Sequence, residues 1–333
     1  MTAPTAQPAP PPQLTPADVA SASRAVLGEV ATAVVGMKEP LRVALAAILS
    51  GGHVLFEDVP GLGKTLAARS IATALGLDFR RLQCTPDLLP ADITGTSVFD
   101  PESRQFRFHP GPVFAGLLLA DEINRTAPKT QSALLEAMAE RQVTVDGTTY
   151  PMARPFHVMA TSNPVEYEGT YPLPEAQLDR FMVRIAVGYP DREAETDVLA
   201  RRLARRAEEA PVRRVVDART LLAMQAGVEA VPVDADILGY CVDIAQATRT
   251  HDAVEVGASP RGSQALVLVA RALAVLDGRT YVTPEDVKSV GVAALAHRIT
   301  LTPASWAAGV VPEDVVREVL ARVPGPSTVP DRP

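Results

Sequence analysis

Two cysteines in 333 residues, Cys84 and Cys241, are too few and too far apart to build a disulfide framework or a CxxC metal pair. A reducing compartment, the cytoplasm, is the expected location. The five histidines, at positions 53, 109, 157, 251 and 297, show no close ligand spacing, so no protein-ligated metal centre is expected. Long apolar runs are also missing. Residues 41–56 are broken by Ser50, Gly51, Gly52 and His53, and residues 266–276 by Arg271, which leaves no candidate membrane span. The first residues, MTAPTAQPAPPPQ, lack both the basic start and the apolar centre of a secretory signal. There is no dense Lys/Arg block in a chain of formal net charge −7, hence no footprint for duplex nucleic acid or an anionic lipid surface.

What the chain does have is apolar material: 47% of its residues are hydrophobic, ample for one large domain or two smaller ones. Proline and alanine dominate residues 1–13, a composition expected to stay disordered, and residues 324–333 read the same way. Residues 14–190 alternate short apolar runs with helical patterns, the signature of an α/β domain with a parallel sheet and helices on both faces. Strands are expected at 53–56, 79–83, 117–120, 156–161 and 183–187. Two hairpins interrupt this pattern at about 97–108 and 142–150; DPES marks the first turn and Asp146-Gly147 the second. Residues 191–230 read as a linker and helix with a charged, solvated face. Residues 231–323 read as a smaller all-helical domain, with helix starts at Ser259-Pro260 and at Thr283 in TPED.

Chemistry concentrates in EDVPGLGKT, residues 57–65. It follows a strand, opens a helix and nearly spells GxxxxGK[ST], with Asp58 where the first glycine stands in that pattern. Such a loop turns consecutive amides, and the positive end of the following helix, toward phosphate oxygens. Asp58, Val59, Pro60, Gly61, Leu62, Gly63, Lys64, Thr65 and Leu66 are the candidate nucleotide-binding residues. Gly61 and Gly63 permit close approach, Lys64 supplies a cation and the Thr65 hydroxyl suits Mg²⁺. Asp58 is tolerable if its carboxylate turns away from the nucleotide or caps the turn. Further on, GLLLADE delivers Asp121 and Glu122 at a strand's end: Asp121 for Mg²⁺, Glu122 to polarise an attacking water. A third strand ends in SNP, placing Asn163 to sense the γ-phosphate. Arg180 and Arg261 are fork-shaped cations suited to the charge on a transferring phosphoryl group, often from a neighbouring subunit.

FEDVPGLGKT, LLLADEINRTAPKTQSALLEAMAERQVTVDG, ATSNPVEYEGTYPLPEAQLDRF and GASPRGSQALVLVARALAVLDGRTYVTPEDV together resemble the MoxR family of AAA+ ATPases over residues 14–323. EDVPG is similar to the usual form of that family's loop; Ser162 stands where the family more often shows Gln. The resemblance implies an AAA+ P-loop core with a helical lid, ATP and Mg²⁺ as cofactors, and a homo-oligomeric ring, typically a hexamer. It implies sensor 1 at Asn163, sensor 2 at Arg261 and the arginine finger at Arg180. It places the hairpins as inserts in the second core helix and before sensor 1. It also implies chaperone-like remodelling or activation of a protein client, with a von Willebrand A domain partner on a separate chain. Two other readings stand beside it: an AAA+ motor or regulator acting on nucleic acid, for which the first hairpin offers Arg104, Phe106, Arg107 and Phe108, and a nucleotide-dependent scaffold with little turnover, against which Glu122 argues.

Overall fold

The computed structural model describes residues 14–164, 169–207 and 210–326; the tail expected at 1–13 and most of that at 324–333 lie outside the described residues. Helices α1 (Pro16–Ala33) and α2 (Lys38–Leu49) precede β1 (Val54–Glu57), α3 (Lys64–Ala74), β2 (Phe79–Gln83) and α4 (Pro90–Thr94). The hairpin β3 (Gly95–Asp100) and β4 (Gln105–Pro110) leads to β5 (Leu117–Asp121) and α5 (Pro128–Glu140). A second hairpin, β6 (Gln142–Val145) and β7 (Thr148–Pro151), leads to β8 (His157–Ser162), α6 (Glu175–Leu178) and β9 (Val183–Ile185). The remainder is α7 (Arg192–Arg205), α8 (Ala218–Glu229), α9 (Ala235–Arg249), β10 (Val254–Val256), α10 (Pro260–Leu276), α11 (Pro284–Leu295), β11 (Thr300–Leu301), α12 (Pro303–Ala307) and α13 (Pro312–Arg322).

The central sheet has the order β2-β5-β8-β1-β9, with every pair parallel. Parallel pairing requires cover on both faces, and the sequence supplies it by period-2 sorting of apolar side chains. Leu117, Leu119, Met159, Val54 and Phe56 join one buried cluster, with α1, α2, α3 and α10. Leu118, Ala120, Val158, Ala160 and Leu55 join the other, with Leu134, Leu135 and Met138 of α5. Two consequences position the site. The carboxyl ends of β5, β8 and β1 are neighbours, and any residue just before a strand lies at the opposite end of the sheet.

The hairpins stand apart from this sheet as separate two-stranded ladders. Where the first one leaves α4, two glycines let backbones cross: a Cβ on Gly111 would sit 2.2 Å from the Ile93 carbonyl oxygen. Phe108 of β4 stacks on Tyr150 of β7 at 3.9 Å between centroids, which joins the two hairpins.

The expectation of an all-helical second domain needs one correction: β10 and β11 form a short antiparallel pair within it. The chain leaving α9 turns back at His251, and Thr302 N donates to the Ala253 carbonyl, so both extended segments satisfy their backbones in each other. This helical part also has no core of its own. Buried residues of α9, α10, α11 and α13 belong to the same cluster as α1, α2 and one sheet face. Two arginines tie it down: Arg298 donates to the Asp179 carboxylate at 2.7 Å and to the Phe181 carbonyl, and Arg184 bridges Glu57 and Glu313.

Candidate active site

The turn from β1 into α3 sets its amides by two left-handed residues, Gly61 at φ +84° and Gly63 at φ +79°. A side chain there would be strained even in open space, because the left-handed region costs an L-residue about 1–2 kcal/mol. The first amides of α3 have no intrahelical acceptor, which leaves them available to an anion at the loop. Lys64 begins that helix and is buried; its ammonium donates to the carbonyls of Asp58, at 2.5 Å, and Val59, at 3.2 Å. Burial lowers its pKa from the ordinary lysine value, against the raising influence of Asp58, Asp121 and Glu122.

Asp58 departs from the glycine pattern for a reason visible in its partners. Its carboxylate accepts from the amides of Val59 at 2.7 Å, Val187 at 2.8 Å and Gly188 at 2.6 Å. It caps its own turn and fastens the segment after β9 to the phosphate loop.

Asp121 closes β5 and is the centre of a polar cluster. One oxygen accepts from the Thr161 hydroxyl at 2.7 Å; the other accepts from the Thr65 hydroxyl at 3.2 Å and from Arg81 at 2.7 and 3.0 Å. A hydroxyl and a carboxylate oxygen converging at a phosphate loop form a hard-donor set, which fits Mg²⁺ rather than a softer metal. Glu122 follows in the left-handed conformation, φ +59° and ψ +52°, a strained state for a non-glycine residue. Its amide donates to the Thr161 hydroxyl at 2.8 Å, and its carboxylate accepts from Gln83 at 3.1 Å beside Arg125 at 3.3 Å. Asn163, at the end of β8, is buried, and its carbonyl accepts from the Asn124 side chain at 3.1 Å.

Beside the loop lies a cavity of ≈ 430 Å³, lined by Val34, Met37, Leu62, Leu66, Tyr189 and Leu199 among others. Its mainly apolar walls suit the flat face of a nucleobase, with the phosphates on the adjoining amides.

The structure thus brings Lys64, Thr65, Asp121, Glu122 and Asn163 to adjacent strand ends. It does not bring Arg180 and Arg261 there. Arg180 precedes β9 and so stands at the opposite end of the sheet, where it donates to the Leu135 carbonyl at 2.6 Å. Arg261 is 3.8 Å from Asp179, the same residue that holds Arg298. Sequence reading missed Arg81, Gln83, Thr161 and Asn124, whose partners lie some 40 residues away in the chain, and the walls of the base cavity. Only VVGM, residues 34–37, carried a local signal, as an apolar gap between two helices.

The AAA model, "ATPase family associated with various cellular activities", matches residues 53–183, and an AAA lid domain model matches residues 246–319. The chain is 49% identical over 292 residues to the uncharacterized protein YeaC of Bacillus subtilis, covering 88% of this chain and 91% of YeaC. It is 42% identical over 316 residues to Chaperone MoxR1 of Mycobacterium tuberculosis, covering 92% of this chain and 83% of that protein. Among solved structures, a crystal structure of a candidate ATPase from Cytophaga hutchinsonii is 40% identical with a TM-score of 0.86, covering 93% of this chain and 96% of that one. The lysine-bearing loop, the carboxylates at the end of β5 and the lid agree with these likenesses: the chain belongs to the MoxR family of AAA+ ATPases.

Proposed function

We propose that this ATPase works as a homo-oligomeric ring, typically a hexamer, in the cytoplasm, and uses Mg²⁺-dependent hydrolysis to remodel or activate a protein client. A von Willebrand A domain partner on a separate chain would present that client. The observation that carries this reading is the division of the machinery between the two ends of one parallel sheet. Lys64, Thr65, Asp121, Glu122 and Asn163 gather at one end, while Arg180, on the Leu135 carbonyl, and Arg261, beside Asp179, lie at the other. Arginines so placed cannot serve their own triphosphate; they are offered to that of a neighbouring subunit, so turnover requires assembly.

Bound Mg²⁺ would supply charge neutralisation to the β- and γ-phosphates. Thr65 and Asp121 would hold it, and Lys64 would leave the Asp58 and Val59 carbonyls for phosphate oxygens. Thr161 fixes the Asp121 carboxylate and the Glu122 amide together. Glu122 takes the proton of the attacking water and Asn163 orients that water against the phosphate. The similarity to a protein named as a chaperone supports the client reading. The nucleic-acid alternative loses one of its cations, because Arg107 of the first hairpin is paired with Asp100 at 3.1 Å.

Glu122→Gln tests the assignment. ATP binding by the variant should match the wild type, while turnover falls about 10²- to 10⁴-fold, the range for a lost general base. Unchanged turnover would defeat it. Wild-type turnover per chain should also rise with protein concentration, and a rate independent of concentration in dissociated subunits would defeat the shared site.

A further inference from the structure

A second large cavity, ≈ 520 Å³, lies at the end of the sheet away from the phosphate loop, within the size range of about 300–1,000 Å³ for small-molecule sites. It lies between the turn before β1, the C-terminal end of α5 and the first turn of α10. Five arginines line it, Arg141, Arg154, Arg180, Arg261 and Arg298, against the carboxylates of Glu140 and Asp179. Asp179 is already engaged, by Arg298 at 2.7 Å and by Arg261 at 3.8 Å.

Arg141, Arg154 and Arg180 form no ion pair among the described residues. Arg141 donates to the Gly51 carbonyl at 3.2 Å, and the buried Nε of Arg180 meets no acceptor. Burial first, and then the charge of Arg154 nearby, pulls the Arg141 pKa below the ordinary arginine value. A guanidinium does not escape such crowding by losing its proton. The repulsion is relieved only by water or by an anion from outside, and planar forks converging on a cavity match phosphate oxygens.

Two of these arginines, Arg180 and Arg261, are those offered above to a neighbouring subunit. Arg141 and Arg154 share their cavity, and no motif in the sequence singled them out. We propose that Arg141 and Arg154 belong to the same anion-receiving surface and contact the phosphates of ATP bound by the adjacent subunit. The inference rests on the shared-site reading and enlarges it from two arginines to four. Arg141 owes its place to a left-handed residue at the end of α5, φ +52°, which turns its side chain back toward Gly51. Arg154 stands just before β8.

The test uses full-length chains. In Arg141→Ala/Arg154→Ala, dissociated subunits should bind fluorescent ATP as the wild type does, since their own phosphate loop is intact. Turnover should fall tenfold or more. Mixing in a large excess of Lys64→Ala chains, which lack their own phosphate-binding cation but carry all four arginines, should restore turnover to the level of wild type mixed with the same excess. Wild-type turnover in the double variant would overturn the proposal. So would a loss that Lys64→Ala chains do not rescue, because that marks damage within the subunit. Tight binding of inorganic tripolyphosphate to dissociated Lys64→Ala subunits, abolished by the two arginine substitutions while turnover stays intact, would assign the cavity to a free anion and also overturn it. Failure of wild-type turnover to depend on assembly would instead defeat the reading on which the proposal rests.

Discussion

Removing the Asp58 carboxylate would strand three amide hydrogens at once, those of Val59, Val187 and Gly188. Each buried donor left without a partner costs about 1–3 kcal/mol, less where water reaches it. Asp58→Ala should therefore lower the unfolding midpoint and weaken ATP binding by tenfold or more, because the phosphate loop and a wall of the base cavity are released together. Asp58→Asn keeps one acceptor and should recover part of both losses; equal affinity in wild type and Asp58→Ala, by titration calorimetry, would show the cap to be dispensable. At this scale the sequence was legible wherever a residue's role depends on its immediate neighbours. Lys64 and Thr65 open a helix after a glycine turn, and Asp121 with Glu122 ends a buried strand. It was silent on Arg81 and Thr161, which act by touching Asp121 across 40 residues of chain. Nothing local distinguishes a threonine that orients a carboxylate from one that fills a strand.

Hairpins show the same limit one level up. Asp146-Gly147 predicts a tight turn because both central residues need positive φ, and they have it, at +50° and +77°. The strands it joins are Gln142–Val145 and Thr148–Pro151. The stacking of Phe108 on Tyr150 was not legible, since it pairs residues from two separate hairpins. It has a testable effect. An aromatic pair contributes about 0.5–1.5 kcal/mol beyond its buried area. Phe108→Ala should thus speed amide exchange in both hairpins by about tenfold, β6 and β7 included, although the substitution lies in β4. Phe106 is 72% exposed and packs edge-on against Phe99. Phe106→Ala should leave exchange in β6 and β7 unchanged, so acceleration confined to β3 and β4 in both variants would refute the coupling.

At the scale of the whole molecule the lid, the sheet and the first two helices share one apolar cluster, and three buried histidines are built into the polar contacts around it. The Nδ1 of His53 accepts from the Val158 amide at 2.9 Å, so its other nitrogen faces the Met138 carbonyl as donor. His157 uses its Nδ1 on the Gly52 carbonyl and turns its Nε2 to the Gln225 amide group; His297 donates to the Phe181 carbonyl at the joint between lid and sheet. Each is held as one neutral tautomer, and a second proton on His53 would confront an N–H donor. Burial is the main cause that lowers their pKa values, His53 to about 3, His157 to about 4, and His297 well below the ordinary 6.5, with Arg141, Arg184 and Arg298 adding repulsion. Below pH 6.5 the unfolded chain binds protons that the folded chain refuses, so stability declines as pH drops from 6.5 toward 4. The slope is at most about 1.4 kcal/mol per pH unit for each histidine. Carboxylates held low by arginine, such as Asp286 by Arg279, contribute only at more acidic pH. Chemical denaturation at pH 7.5, 6.5 and 5.5 should therefore show a loss of about 1 kcal/mol over the first step and about 3 kcal/mol over the second. Calorimetry at pH 5.5 should register close to three protons taken up on unfolding, if all three sites stay neutral in the folded chain. A flat profile down to pH 5 would mean that these rings titrate freely in the native state, and that the joint between lid and sheet is open to water.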